Sequence, residues 1–186
     1  MEQRPPTGYD RGVVTFQLED TYALLERTPG ALREQLVGLP EAWTEARPDP
    51  ENWSAYQVVC HLAYIEETDW LVRARLILEQ GPTQAFPPVD HGDQSPRYAG
   101  QSLELVLDQF TQLRRRNLDA VRPLLTDAGV LDRRGLHPTL GEVTMRELLA
   151  TWVVHDLNHL RQAQDAMAVR YSAEVGPWKA NLGILS

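Results

Sequence analysis

Cysteine is almost absent, Cys60 being the single one in 186 residues. That excludes an internal disulfide framework and any zinc cluster built on several thiolates. Long apolar runs are missing too. The longest, around Leu148–Val154, falls far short of the roughly 20 residues a membrane-spanning helix needs. The opening stretch Met1–Gly12 is polar and proline-rich, without the apolar core of a secretory signal. Lysine is nearly missing, Lys179 standing beside 17 arginines, a bias that carries no mechanism. Basic charge is the minority as a whole: 18 Lys and Arg face 26 Asp and Glu, for a net charge of −8. A surface of that sign repels phosphate backbones and argues against nucleic acid as a partner. The remaining balance, 42% hydrophobic and 24% charged, is that of a globular chain rather than a disordered one. Length predicts a single domain spanning 1–186 that buries roughly 70% of the unfolded chain's surface. The expectation is a soluble, cytoplasmic protein with no membrane contact.

Convincing strand alternation and internal repeats are also lacking. Four segments show helical periodicity instead. The first runs over about 16–39, with Leu18, Tyr22, Leu25, Leu32, Leu36 and Leu39 on one stripe. Within it, Thr28-Pro29 reads as a new N-cap and first-turn proline, predicting a kink or restart. The second, about 54–80, opens on Ser54 with Gln57 three residues later as a capping box, and stops at Gly81-Pro82. The third, about 102–126, carries Leu103, Val106, Leu107, Phe110, Leu113, Asn117, Leu118, Val121 and Leu125 at helical spacing. Arg114-Arg115-Arg116 reads as its solvated far side. The fourth, about 144–171, starts with a second capping box, Thr144 and Glu147. Arg47-Pro48-Asp49-Pro50 is a turn signal. The stretch 81–101, with four prolines, is long enough to be a lid or partner loop. The predicted fold is all-α, a four-helix bundle.

Polar residues interrupt two of the apolar stripes. On the fourth segment, Leu148, Trp152, His155, His159, Gln162 and Ala166 follow core-facing spacing. Burying such groups is unfavourable unless each finds a partner. His155 and His159, at i and i+4, project from one face one turn apart, a spacing that suits two ligands on one divalent ion. On the second segment, Val58, His61, Ile65, Thr68 and Val72 form another stripe. If those helices are neighbours, His61 reaches the same cavity, and three imidazoles hold a metal with a position left open. The competing explanation is three neutral histidines satisfied by hydrogen bonds alone.

Asn52-Trp53-Ser54, His61-Leu62, Gly141-Glu142-Val143-Thr144 and His155-Asp156-Leu157-Asn158-His159-Leu160-Arg161-Gln162 together resemble the DinB-like superfamily, which includes the YfiT-like metal-dependent hydrolases. The resemblance covers nearly the whole chain and implies a four-helix bundle. By motif position it implies a divalent metal on His61, His155 and His159. It also implies hydrolysis, or transfer and isomerisation chemistry that uses a low-molecular-weight thiol. His155-Asp156-x-x-His159 is similar as well to the HExxH helix of zinc proteases, but Asp is a methylene shorter than the Glu base. That departure argues against a protease.

Among other residues, Gln162 either hydrogen-bonds a ligand or is a capped core amide, and Trp152 is a candidate wall of the cavity. Glu66 and Gln162 are the candidate catalytic residues, Glu66 as a general base. Asp156, turned about 100° from His155, reads as a surface or helix-contact residue. His137 reads as backbone support, His91 as solvent-exposed, Cys60 as a small buried hydrophobe and Trp53 and Trp70 as core. Three imidazoles suit zinc or nickel, with iron, manganese or copper as alternatives. The functional expectation is a metal-dependent enzyme acting on a small-molecule substrate by hydrolysis or thiol transfer, with a homodimer as the candidate assembly. The alternatives are a non-catalytic metal-binding or stress-response module and a metal-free ligand-binding bundle.

Overall fold

The amphipathic segments become the long helices of the computed structural model, which describes residues 15–47 and 51–185. Met1–Gly12 and Pro48-Asp49-Pro50 lie outside them. Helix α1 (Leu18–Leu36) is followed by the short α2 (Glu41–Thr44), then by α3 (Ala55–Thr68), α4 (Trp70–Glu79), α5 (Leu103–Val121) and α6 (Met145–Ala168). Both capping boxes form. Gln57 N donates to Ser54 Oγ at 3.2 Å and Ser54 N to Gln57 Oε1 at 2.9 Å. Glu147 N donates to Thr144 Oγ1 at 3.2 Å and Thr144 N to Glu147 Oε2 at 2.7 Å. Each cap contributes about 1 kcal/mol and fixes where its helix starts, hence which face presents His61 or His155.

Four expectations are corrected. Pro29 does not restart α1, which runs through it unbroken. Proline has no N–H to give the carbonyl four residues back, and Arg114 Nη1 fills that place, donating to Leu25 O at 2.6 Å. The second segment is two helices, broken at Asp69 (φ −119°, ψ −76°). The stretch 81–101 is only partly irregular: it holds 3-10 turns at Gly81–Thr83 and Ser95–Tyr98, and Phe86 N donates to Leu136 O at 2.9 Å. Strands are present as well. Antiparallel β1 (Arg134–His137) and β2 (Gly141–Thr144) form a hairpin before α6. Four residues per strand are too few for alternation to register in the sequence.

Two glycines make the hairpin workable. Gly141 takes φ +81°, the left-handed position that closes a three-residue hairpin loop. At Gly135 a Cβ would sit 2.7 Å from Ile77 Cγ1 and 2.8 Å from the Phe86 ring. Gly135→Ala should therefore destabilise the protein by about 1–3 kcal/mol through overpacking. Urea denaturation checks this, and an unchanged midpoint would refute the close approach.

The main packing partners of α1 and of α3 are α5 and α6, so α1 and α3 lie diagonally across the bundle. Helices α3 and α6 are thus neighbours, as a shared histidine site requires. A polar layer crosses the core between two apolar clusters, one containing Leu25, Leu118 and Trp152 and the other Leu32, Phe110 and Ala163. Its centre is Arg114, which is 2% exposed and not on a solvated face. The sequence already hinted at this, because Leu107, Phe110, Arg114, Asn117 and Val121 share one 3-4-3-4 stripe. Arg114 donates from Nε to Glu66 Oε1 at 2.9 Å, and from Nη1 and Nη2 to Asp156 Oδ2 and Oδ1 at 2.6 and 2.9 Å. Burial works to lower its pKa, but the two carboxylates prevail and raise it. The guanidinium therefore stays charged. No helix among the described residues is long and apolar enough to cross a membrane.

Candidate metal centre

His61 emerges from the second turn of α3, while His155 and His159 leave α6 one turn apart. The three rings meet through their Nε2 atoms. His61 Nε2 lies 3.3 Å from His155 Nε2, which lies 3.1 Å from His159 Nε2. All three ligand atoms fall within 4.8 Å of one another, so the cluster could hold a metal ion. Two nitrogens bound at about 2.0–2.1 Å to a tetrahedral ion sit about 3.3 Å apart, so the donor set fits a small divalent cation.

Electrostatics favours the neutral, ligating form of each ring. Burial, with His159 adding to it, pushes His61 down to about 3. Burial followed by His159 and His61 pushes His155 down to about 2. His159 is lowered mainly by burial. Among the described residues, His155 Nδ1 is buried without a hydrogen-bond partner. His159 differs, its Nδ1 facing Gln162 Oε1 at 2.7 Å. An amide oxygen there accepts, so Nδ1 carries the proton and Nε2 presents its lone pair to the cluster.

These shifts give a pH dependence with a definite sign. In the unfolded chain the histidines take up protons below about 6.5, whereas in the folded site His61 stays neutral to about 3 and His155 to about 2. Between those values the unfolded state binds more protons, so metal-free stability falls as pH falls, by up to about 1.4 kcal/mol per pH unit per histidine. Thermal melts at pH 7 and pH 5 should show a lower Tm at pH 5. The slope should be shallower in a His61→Gln/His155→Gln variant, and an equal slope would remove the histidines from the explanation.

Tryptophans flank the rings. Trp53 lies 4.9 Å from His61 and stacks on His159 at 6.1 Å, and Trp70 meets His155 edge-on at 5.2 Å, all between ring centroids. A cavity of about 230 Å³ opens against His155, with Trp70, Arg73, Phe86, Val143 and Leu148 on its wall. His91 is exposed but also lines this cavity, as does His137. His137 Nδ1 accepts from Thr139 N and Leu140 N, both at 3.2 Å, a backbone role.

Trp152 does not wall the cavity. It is buried, stacked on Trp70, and donates from Nε1 to Glu66 Oε1 at 2.8 Å. Glu66 is correspondingly unsuited to act as a base. It is 2% exposed, and its oxygens accept from Arg114, Trp152 and Asn117. Asp156 turns away from the histidines, as its 100° offset requires, but into the polar layer rather than to the surface. Cys60 is buried, and burial raises its thiol to about 12, which leaves no thiolate at neutral pH.

No curated protein matches this chain. YfiT from Bacillus subtilis, whose structure is described as that of a probable metal-dependent hydrolase with an unusual four-helix bundle topology, matches at a TM-score of 0.66. Identity is 21% with 94% of each chain covered, a likeness of fold. The DinB superfamily model matches residues 24–163. That match extends from α1 into α6 and spans more than half of the sequence, and the chain belongs to the DinB superfamily.

Proposed function

We propose that this protein is a metal-dependent hydrolase of a small molecule, with His61, His155 and His159 as the ligands of one divalent ion, zinc or nickel. The observation that carries the reading is the convergence of three neutral imidazoles at 3.1 and 3.3 Å, one of them on the wall of a cavity. Two helices supply them, and the caps at Ser54 and Thr144 set their phase. When bound, the ion supplies Lewis acidity toward a carbonyl and activation of water. The chain's own groups do the rest. Gln162 keeps the His159 proton on Nδ1, Trp53 and Trp70 restrict water around the rings, and Asp156, clamped by Arg114, anchors α6 beside them. The open cavity favours catalysis over a structural site, which would be closed on all sides.

The test is elemental analysis of protein purified without a histidine tag, together with hydrolysis assays on a panel of small esters and amides before and after chelation. About one divalent ion per chain and turnover that chelation abolishes and metal restores are the outcomes expected. Turnover indifferent to chelation would overturn the reading.

A further inference from the structure

The cavity against His155 contains a cation that nothing above employs. Arg73 leaves the first turn of α4, and its Nε is ion-paired with the buried Asp69 carboxylate. Its guanidinium carbon lies over the Phe86 ring, 5.4 Å from the centroid. Those two contacts hold the planar group on one edge and one face, while the side chain is only 12% exposed. Neither Nη has a hydrogen-bond partner among the described residues, although the residue lines the cavity. An arginine fixed in this way presents an unused two-pronged donor edge whose orientation has already been determined. The rest of the wall is largely apolar, with Trp70, Phe86, Val143 and Leu148.

We propose that this cavity binds a small monocarboxylate, its carboxylate on the two Nη groups of Arg73 and its apolar body against Phe86, Val143 and Leu148. Size limits the ligand: about 230 Å³ is below the roughly 300–1,000 Å³ of pockets for drug-sized molecules. Charge limits it further. Arg73 is already neutralised by Asp69, and Glu147 also lies on the wall. A ligand with one negative charge is repelled less by those two carboxylates than a phosphate dianion would be, and the attraction comes from the free donor edge of Arg73 rather than from net charge. A carboxylate also suits the fork geometry of guanidinium, accepting two parallel N–H bonds. Identifying this ligand as the substrate rests on the metal-centre reading, since His155 lies on the same wall; the binding itself does not.

The experiment titrates benzoate and its neutral isostere benzamide into metal-free and metal-loaded protein, following the tryptophan indole signals by NMR. Benzoate should bind at least tenfold more tightly than benzamide. Arg73→Gln should weaken benzoate tenfold or more without changing benzamide, and Arg73→Lys should recover part of the loss. Thr151→Trp, on an exposed position of α6 that lines the cavity, should block both ligands and avoids disturbing the Asp69 pair. No binding of benzoate, equal binding of the two ligands, or benzoate affinity unchanged in Arg73→Gln or in Thr151→Trp would overturn the proposal. Failure of the metal reading is separate: it appears as no ion bound in the metal-loaded samples, with the Arg73 dependence intact.

Discussion

Arg114→Leu should cost about 3–5 kcal/mol of stability, the range for breaking a buried ion pair from one side. The reason lies in what the substitution leaves behind. Glu66 and Asp156 are each nearly fully buried and lose their common cation, and the Leu25 carbonyl freed by Pro29 loses its donor. Leucine offers nothing to any of them. Against a total of about 5–15 kcal/mol for a folded domain, the loss is severe. Urea denaturation of the metal-free protein measures it. The layer's polarity is not required for stability in itself: replacing Arg114, Glu66 and Asp156 together with apolar residues should recover much of the loss, because no uncompensated charge remains. A cost below about 1 kcal/mol for Arg114→Leu, within the range of exposed pairs, would show that the carboxylates find other partners.

His155→Ala should abolish tight metal binding while leaving the metal-free fold nearly as stable as before. His155 Nε2 is the middle atom of the cluster, 3.3 Å from His61 Nε2 and 3.1 Å from His159 Nε2, and its removal leaves two ligands. Affinity should fall by at least about 100-fold, the upper range seen even for residues that merely support ligands. At a metal concentration of about 100 times the wild-type dissociation constant, stabilisation of about 2.7 kcal/mol should largely disappear. The metal-free variant behaves differently because the lost ring is half-buried and neutral, with Nδ1 unpartnered among the described residues, so little favourable bonding is forfeited. Isothermal titration and melts with and without zinc or nickel separate the two effects. An equal melting shift in wild type and variant would remove His155 from the ligand set.

Local chemistry made the helices and the histidine cluster legible. The capping boxes at Ser54 and Thr144 act over three residues, and apolar spacing reports a helix wherever one face is buried. The i, i+4 relation of His155 and His159 is likewise internal to one helix. The DinB resemblance draws on the same short motifs. Packing decided the remainder. Whether Arg114 faced water or the core depended on Glu66 and Asp156, carried by two other helices, because a charge can be buried only where partners from elsewhere meet it. Pro29 lies inside a continuous helix because that same arginine serves the carbonyl it orphans. Glu66 changed from candidate base to core anchor for the same reason. Arg73 and His155 are 82 positions apart, and nothing in their spacing along the chain could place them on one cavity. Contacts between distant segments are properties of the assembled bundle, since each helix's sequence encodes which of its faces is buried but not what that face will meet.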